Sequence, residues 1–243
     1  MLPKIKHPIF NIDIPSTKKK AKFRPFLVKE EKILLIAKTA GNVSDVLLAV
    51  KQIVNNWAID TDFNVDNIAI FDLEYIYLKL YAASVNNKIK AAFKDNMDDK
   101  VYNFEIPLDE LHVNFPETVD KKIQVTKDIV VTLKYPAASL YEDKEFLNLT
   151  DVNESLFELI INTIDKIYEG DTVYDPSSYP KEEVVTWIEE NLDAKAFEKI
   201  QTFLNNLPNI EHVIKYKNSL DTDRKIELTT FMDFFYFLWA IIV

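Results

Sequence analysis

Hydrophobic and polar positions change their period twice along this chain. From about residue 29 to residue 81 apolar residues recur at helical spacing, from 87 to 136 they alternate with polar ones, and from 155 helical spacing returns. Before the first helical stretch, residues 9–14 and 21–28 read as strands flanking a turn at Pro15-Ser16-Thr17-Lys18-Lys19-Lys20. Pro25 keeps Arg24 extended, and a helix is expected over 29–40, stopped at Gly41-Asn42. In this passage Phe23, Phe26, Ile33, Leu34 and Ile36 are assigned to packing. A second helix, with Ser44 as N-cap, puts Val46, Leu47, Val50, Ile53, Val54 and Trp57 on one face.

The third helix is expected to start with Asp72 as cap, Phe71 and Ile76 forming a hydrophobic staple. Leu73, Tyr75, Ile76, Tyr77, Leu78, Leu80 and Tyr81 make it apolar almost all round, as in a buried central helix; the tyrosine stripe can also be read as a stacking surface. Strands follow at 88–93, 101–106, 123–125 and 129–133, with turns at Asp95-Asn96, Asp98-Asp99 and Lys127-Asp128. Helices are expected at 155–168, ended by Gly170, at 180–191, and after Asp193 until Pro208; strands at 210–216 and 224–228 precede an aromatic tail. The fold class is therefore α+β: an N-terminal β-hairpin followed by helices, a central antiparallel β-rich section, and a C-terminal helical section with a short strand pair. Residues 169–180 are the best candidate boundary, dividing the chain into 1–170 and 171–243, which could equally form one continuous domain.

Composition narrows the class. The chain has 243 residues, 48% of them hydrophobic, enough for one sizeable core or two small ones. It has no cysteine, so neither disulfides nor thiolate metal sites arise, and its first residues lack the apolar stretch of a secretory leader. The apolar run 234–243 would be about 15 Å long as a helix, whereas a bilayer core needs about twenty apolar residues. No membrane span is expected; a core helix, a partner-binding helix and an interfacial anchor are the alternatives. The net charge of −10 is unevenly spread, for residues 1–40 hold ten basic and three acidic side chains. Lys18, Lys19, Lys20, Lys22 and Arg24 could dock on an acidic partner, or simply solvate a turn. The acidic remainder would repel a phosphate backbone, so no nucleic acid is expected.

Catalytic motifs are sparse. Gly41 and Gly170 are the only glycines, which excludes phosphate-cradling loops, the dinucleotide fingerprint and the nucleophile elbow. His7, His112 and His212 form no ligand pair, and the acidic pairs Glu30-Glu31, Asp98-Asp99, Glu182-Glu183 and Glu189-Glu190 are consecutive, pointing in different directions. No catalytic residue, cofactor, metal or small-molecule substrate is expected. An enzyme with a site of scattered carboxylates and histidines, and a nucleic-acid-binding module using the basic segment, are the alternatives to a binding protein.

The run 14–32, Ile-Pro-Ser-Thr-Lys-Lys-Lys-Ala-Lys-Phe-Arg-Pro-Phe-Leu-Val-Lys-Glu-Glu-Lys, with Leu2-Pro3-Lys4 upstream, resembles the opening of the T4-like bacteriophage baseplate hub proteins. Residues 71–85 resemble their central helix; 197–203, Leu207-Pro208 and 231–235 are also similar. That family contains a minor hub subunit and a hub assembly factor. The resemblance implies a protein of contractile-tail assembly that binds other baseplate hub proteins, as a chaperone-like factor or a minor hub component. It implies a place in the host cell cytoplasm during assembly and, for a component that stays, in the virion tail baseplate. Partner contact is expected at Lys18, Lys19, Lys20, Lys22 and Arg24, or on the tail at Phe231, Phe234, Phe235, Phe237 and Trp239. Relatives often carry cysteines where this chain has Lys217, Asn218 and Ser219, so packing or a partner must substitute there.

Overall fold

A computed structural model describes residues 3, 5–40, 42–116 and 120–241. The chain forms two compact units, Met1–Asn114 with Asn209–Val243, and Phe115–Pro208. The division expected at 170/171 falls on a tight turn inside the second unit.

In the first unit β1 (Phe10–Asp13) and β2 (Lys20–Phe23) pair antiparallel, Phe10 opposite Phe23. The helices α1 (Val28–Ala40), α2 (Val43–Trp57) and α3 (Ile70–Ser84) follow. The hairpin of β3 (Lys88–Lys94) and β4 (Val101–Pro107) comes next, then the short strand β5 (His112–Asn114), which the alternation of residues had not marked. Helix α3 is central, as its pattern implies: Leu73, Ile76, Tyr77, Leu78 and Leu80 are fully buried. Tyr77 stacks on the buried Trp57 with ring centroids 5.6 Å apart, so the tyrosine stripe belongs to the core. Each such side chain contributes roughly 1.5–3 kcal/mol by leaving water.

Three local expectations in this unit change. Helix α2 is capped by Asn42, whose side chain accepts from the Asp45 N–H at 2.7 Å, because Asn42 is extended while Ser44 is already helical. Helix α3 begins at Ile70 after Ala69, so Asp72 is the third helical residue rather than the cap, and the staple positions assigned to Phe71 and Ile76 fall inside the helix. Ile36 is 72% exposed: α1 turns Glu30, Leu34 and Ala37 inward, and Ile36 lies off that stripe. Gly41, the expected stop of α1, lies outside the described residues.

The second unit is built on a four-stranded antiparallel sheet in the order β6 (Lys122–Gln124), β7 (Ile129–Leu133), β8 (Ile164–Glu169), β9 (Thr172–Tyr174). The short α4 (Lys144–Leu147) and α5 (Val152–Thr163) lie between β7 and β8, and α6 (Lys181–Asn191) and α7 (Ala194–Asn205) follow β9. Val131, Leu133, Ile160, Ile164, Ile188, Ile200 and Phe203 form its core. The helix expected over 155–168 therefore ends at Thr163, and the next six residues are strand β8. Gly170, at φ +58°, turns β8 into β9, a left-handed conformation that suits glycine.

The chain then returns to the first unit as β10 (Asn209–Lys217) and β11 (Asp223–Leu228), giving a sheet ordered β11, β10, β5, and ends in α8 (Phe231–Ile241). The mixed α+β composition and the antiparallel pairing match the sequence pattern.

Candidate partner-binding surfaces

The basic turn is held from beneath. Lys18 adopts φ +59°, and the N–H groups of Ile14 and Lys18 donate to the carbonyls of Lys19 and Ile14, both at 2.8 Å. Ser16 ties the turn to α3: its N–H and Oγ donate to the two Asp72 carboxylate oxygens at 2.9 and 2.5 Å. Burial pushes the Asp72 carboxyl above its ordinary pKa, more strongly than these hydrogen bonds pull it down. Lys18, Lys19, Lys20 and Lys22 are all exposed on this anchored turn and strand. Lys22 lies 3.9 Å from Asp60, and its N–H donates to the same carboxylate at 2.8 Å.

Arg24 is placed differently. Its guanidinium forks onto Glu30, Nη2 to Oε1 at 2.6 Å and Nη1 to Oε2 at 3.2 Å, and Glu30 also accepts from the Leu27 N–H at 3.0 Å. Glu30 is fully buried. Burial raises its pKa, but the Arg24 and Leu27 hydrogen bonds and the Arg24 charge outweigh that, and the net displacement is downward. Arg24 thus joins β2 to the start of α1.

On α8, Phe231, Phe234, Phe235 and Leu238 are buried within the first unit. Phe231 meets Tyr77 edge-on at 5.7 Å, and Phe237, half-buried, meets Phe93 at 5.1 Å. The side chain of Trp239 lies outside the described residues. Among the described side chains of α8, Tyr236 is exposed, at 63%.

Around Lys217, Asn218 and Ser219, side-chain hydrogen bonds join two turns of the first unit. Asp98 accepts from the Ser219 N–H at 2.9 Å, the Ser219 Oγ at 2.8 Å and the Tyr102 hydroxyl at 2.6 Å. Asp95 accepts from Tyr216 at 2.7 Å and pairs with Arg224 at 3.0 Å. The Tyr102 hydrogen bond, foremost, holds the Asp98 carboxyl well below its usual range.

A surface the sequence did not mark lies in the second unit. Strands β8 and β9, the turn Pro176–Ser178 and α6 enclose a cleft of about 370 Å³. Its walls are Tyr174, Tyr179 and Trp187, its floor includes Ile167 and Val184, and the exposed Glu169 and Glu183 stand on it. The Tyr174 hydroxyl donates to Glu169 Oε2 at 3.0 Å, which raises the phenol pKa. No single stretch of sequence carries this signal, since its aromatic residues come from a strand, a turn and a helix.

Among the described residues no group of three or more His, Asp or Glu side chains could hold a metal ion, and no helix is long and apolar enough to cross a membrane. His112 is opposite Glu211 across the β5 and β10 pair, which leaves the neighbouring His212 on the other face. Burial pushes the His212 pKa down.

A family model described as T4 bacteriophage base plate protein matches residues 7–236, nearly the whole chain. No curated protein and no solved structure matches. The length of that match, running through both units, means that the chain belongs to the T4 bacteriophage base plate protein family.

Proposed function

We propose that this protein acts in building the central hub of the baseplate of a contractile tail, by binding other hub proteins as an assembly factor or minor hub component. Membership of the base plate family over residues 7–236 is the observation that carries this reading. The fold supports it with a prepared surface: four exposed lysines on a turn and strand, the turn pinned to α3 through Ser16 and Asp72, so little backbone freedom is lost on docking. The contact surface is then Lys18, Lys19, Lys20 and Lys22, with Arg24 as its internal brace, and assembly takes place in the host cytoplasm.

The cleft with two glutamates favours the enzyme alternative more than any other observation. Both carboxylates are exposed, however, whereas a catalytic site is closed against water. Binding suits the cleft better than chemistry.

Co-expression with the neighbouring hub proteins, size-exclusion chromatography, and mass spectrometry of the complex and of purified virions test the proposal. The chain should co-elute with a hub protein, and K18E/K19E/K20E/K22E should weaken that binding by about tenfold or more. Presence in the complex but absence from virions identifies a transient assembly factor. Failure to co-elute with any hub protein overturns the reading. Because Phe231, Phe234 and Phe235 are core residues, Tyr236→Ala, rather than deletion of the tail, tests contact through α8.

A further inference from the structure

The cleft of the second unit combines an apolar floor, three aromatic walls and two carboxylates with a strongly negative setting. Phe115–Pro208 holds 19 acidic and 9 basic side chains, so the whole net charge of −10 belongs to this unit, and the other carries 20 of each sign. Lysines on two of the elements that form the cleft are engaged elsewhere: Lys166 on β8 pairs with Asp175, and Lys181 on α6 with Glu158 at 2.6 Å. No cation among the described residues pairs with Glu169 or Glu183. The walls are held in place before any ligand arrives. Asp175 accepts from the Ser177 N–H at 3.0 Å and Oγ at 2.7 Å, fixing the turn that leads to Tyr179, and Tyr174 is tied to Glu169. Trp187 also borders a second depression with Glu182 and Glu190, so the acidic surface continues along α6 beyond the cleft.

We propose that this cleft receives an arginine side chain from a basic segment of a protein partner, the guanidinium lying against Trp187 and the tyrosines with Glu169 and Glu183 as its anionic partners. A planar, weakly hydrated cation can stack on aromatic faces and fork onto a carboxylate at once, which a lysine ammonium does less well. Its aliphatic stem would cover Ile167 and Val184. Negative charge along α6 attracts the basic residues flanking that arginine and speeds encounter. The site goes beyond the hub reading and does not depend on it, because the peptide measurement below involves no hub protein.

The test is calorimetric titration of the full chain with the peptide Ser-Arg-Lys-Arg-Ser and with its counterpart carrying citrulline, neutral and isosteric, in place of both arginines. Saturable one-site binding of the arginine peptide is expected, with affinity at least about tenfold weaker for citrulline. Glu169→Gln with Glu183→Gln, and separately Trp187→Leu, should each weaken the arginine peptide by about tenfold. Glu154→Gln with Glu198→Gln removes the same charge away from the cleft and should leave affinity unchanged. Equal binding of the two peptides overturns the proposal using the unaltered protein, whatever the variants do to folding. Equal loss in the control variant reduces the effect to diffuse charge and overturns it too, as does absence of peptide binding. If the chain instead self-associates and Glu169→Gln with Glu183→Gln abolishes that, the occupant is a second copy and the assignment to a partner's arginine fails.

Discussion

Three carboxylates at the third position of a helix organise the first unit, and each answers a different local problem. Leu27 and Ala69 have no side-chain acceptor for a helix start, so Glu30 and Asp72 accept from those residues' N–H groups, at 3.0 and 3.3 Å. Asp233 completes a two-way box with Thr230, accepting its N–H at 2.9 Å while the Thr230 hydroxyl accepts the Asp233 N–H at 3.3 Å. Glu30 and Asp72 are both fully buried, yet their pKa values move in opposite directions because only Glu30 has an arginine. For Glu30 the folded pKa lies below the unfolded 4.5, so its stabilisation is present above that value and is lost as pH falls through the folded pKa. For Asp72 the folded pKa lies above 3.8, so its stabilisation is present below that value and is lost as pH rises through the folded pKa. Arg24→Ala leaves the buried Glu30 carboxylate with only the exposed Lys29 at 3.7 Å and the Leu27 N–H, and should cost about 3 kcal/mol at neutral pH. Urea unfolding of wild type and Glu30→Gln should show a stability gap that closes on acidification, while the gap between wild type and Asp72→Asn grows in favour of wild type. Parallel pH profiles for the two variants would contradict this assignment. The acidic residues are visible in the sequence; that Arg24 serves one of them, unlike its lysine neighbours, is a tertiary fact.

At the scale of elements, periodicity was a good guide where one face is buried and misled where a strand carries a bulge. Ile160, Ile164 and Ile167 continue a helical spacing, which is why 155–168 reads as one helix. In the sheet, Leu133 pairs with Ile164 and Val131 with Ile167, so three residues on β7 face four on β8. The extra residue at this irregularity gives a spacing of three to two isoleucines that both reach the core, imitating a helix. Strand β9 then depends on the turn at Gly170. Nothing lies within 4 Å of a Cβ placed there, so Gly170→Ala tests backbone conformation alone and should cost about 1 kcal/mol, with Gly170→Asn costing less. Equal losses in denaturant midpoint would rule out the left-handed conformation as the cause. The C-terminal helix is read correctly as apolar, but sequence alone left its burial open. Phe234→Ala should cost about 3–5 kcal/mol, whereas Tyr236→Ala should stay within about 0.5 kcal/mol. Thermal unfolding of both variants separates a core helix from one that waits for a partner.

At the scale of the whole molecule, the charge asymmetry visible in the sequence acquires a different boundary. Counting from the amino terminus sets a basic arm against an acidic remainder, but in space the acidic excess belongs to Phe115–Pro208, and the other unit is balanced. No glycine-rich linker marks residues 114 and 209: the chain leaves the first unit from β5 and re-enters it on β10, and Asn114 and Asn209 are paired across those strands. The second unit is therefore inserted between two neighbouring positions about 5 Å apart, the arrangement in which an inserted body can close around its own core. Its sheet and its hydrophobic cluster draw only on its own residues. Expressed alone, residues 115–208 should give native-like circular dichroism and a single cooperative urea transition. Its aromatic cleft is internal to it, so the fragment should bind the arginine peptide as the full chain does. The remaining unit, with Asn114 joined to Asn209 by an Asn-Gly turn, should keep its own cooperative transition, because that turn suits two adjacent antiparallel strands. Gradual, non-cooperative melting of the fragment would mean that its core depends on the first unit. Cooperative melting without peptide binding would leave the domain intact and count against the cleft alone.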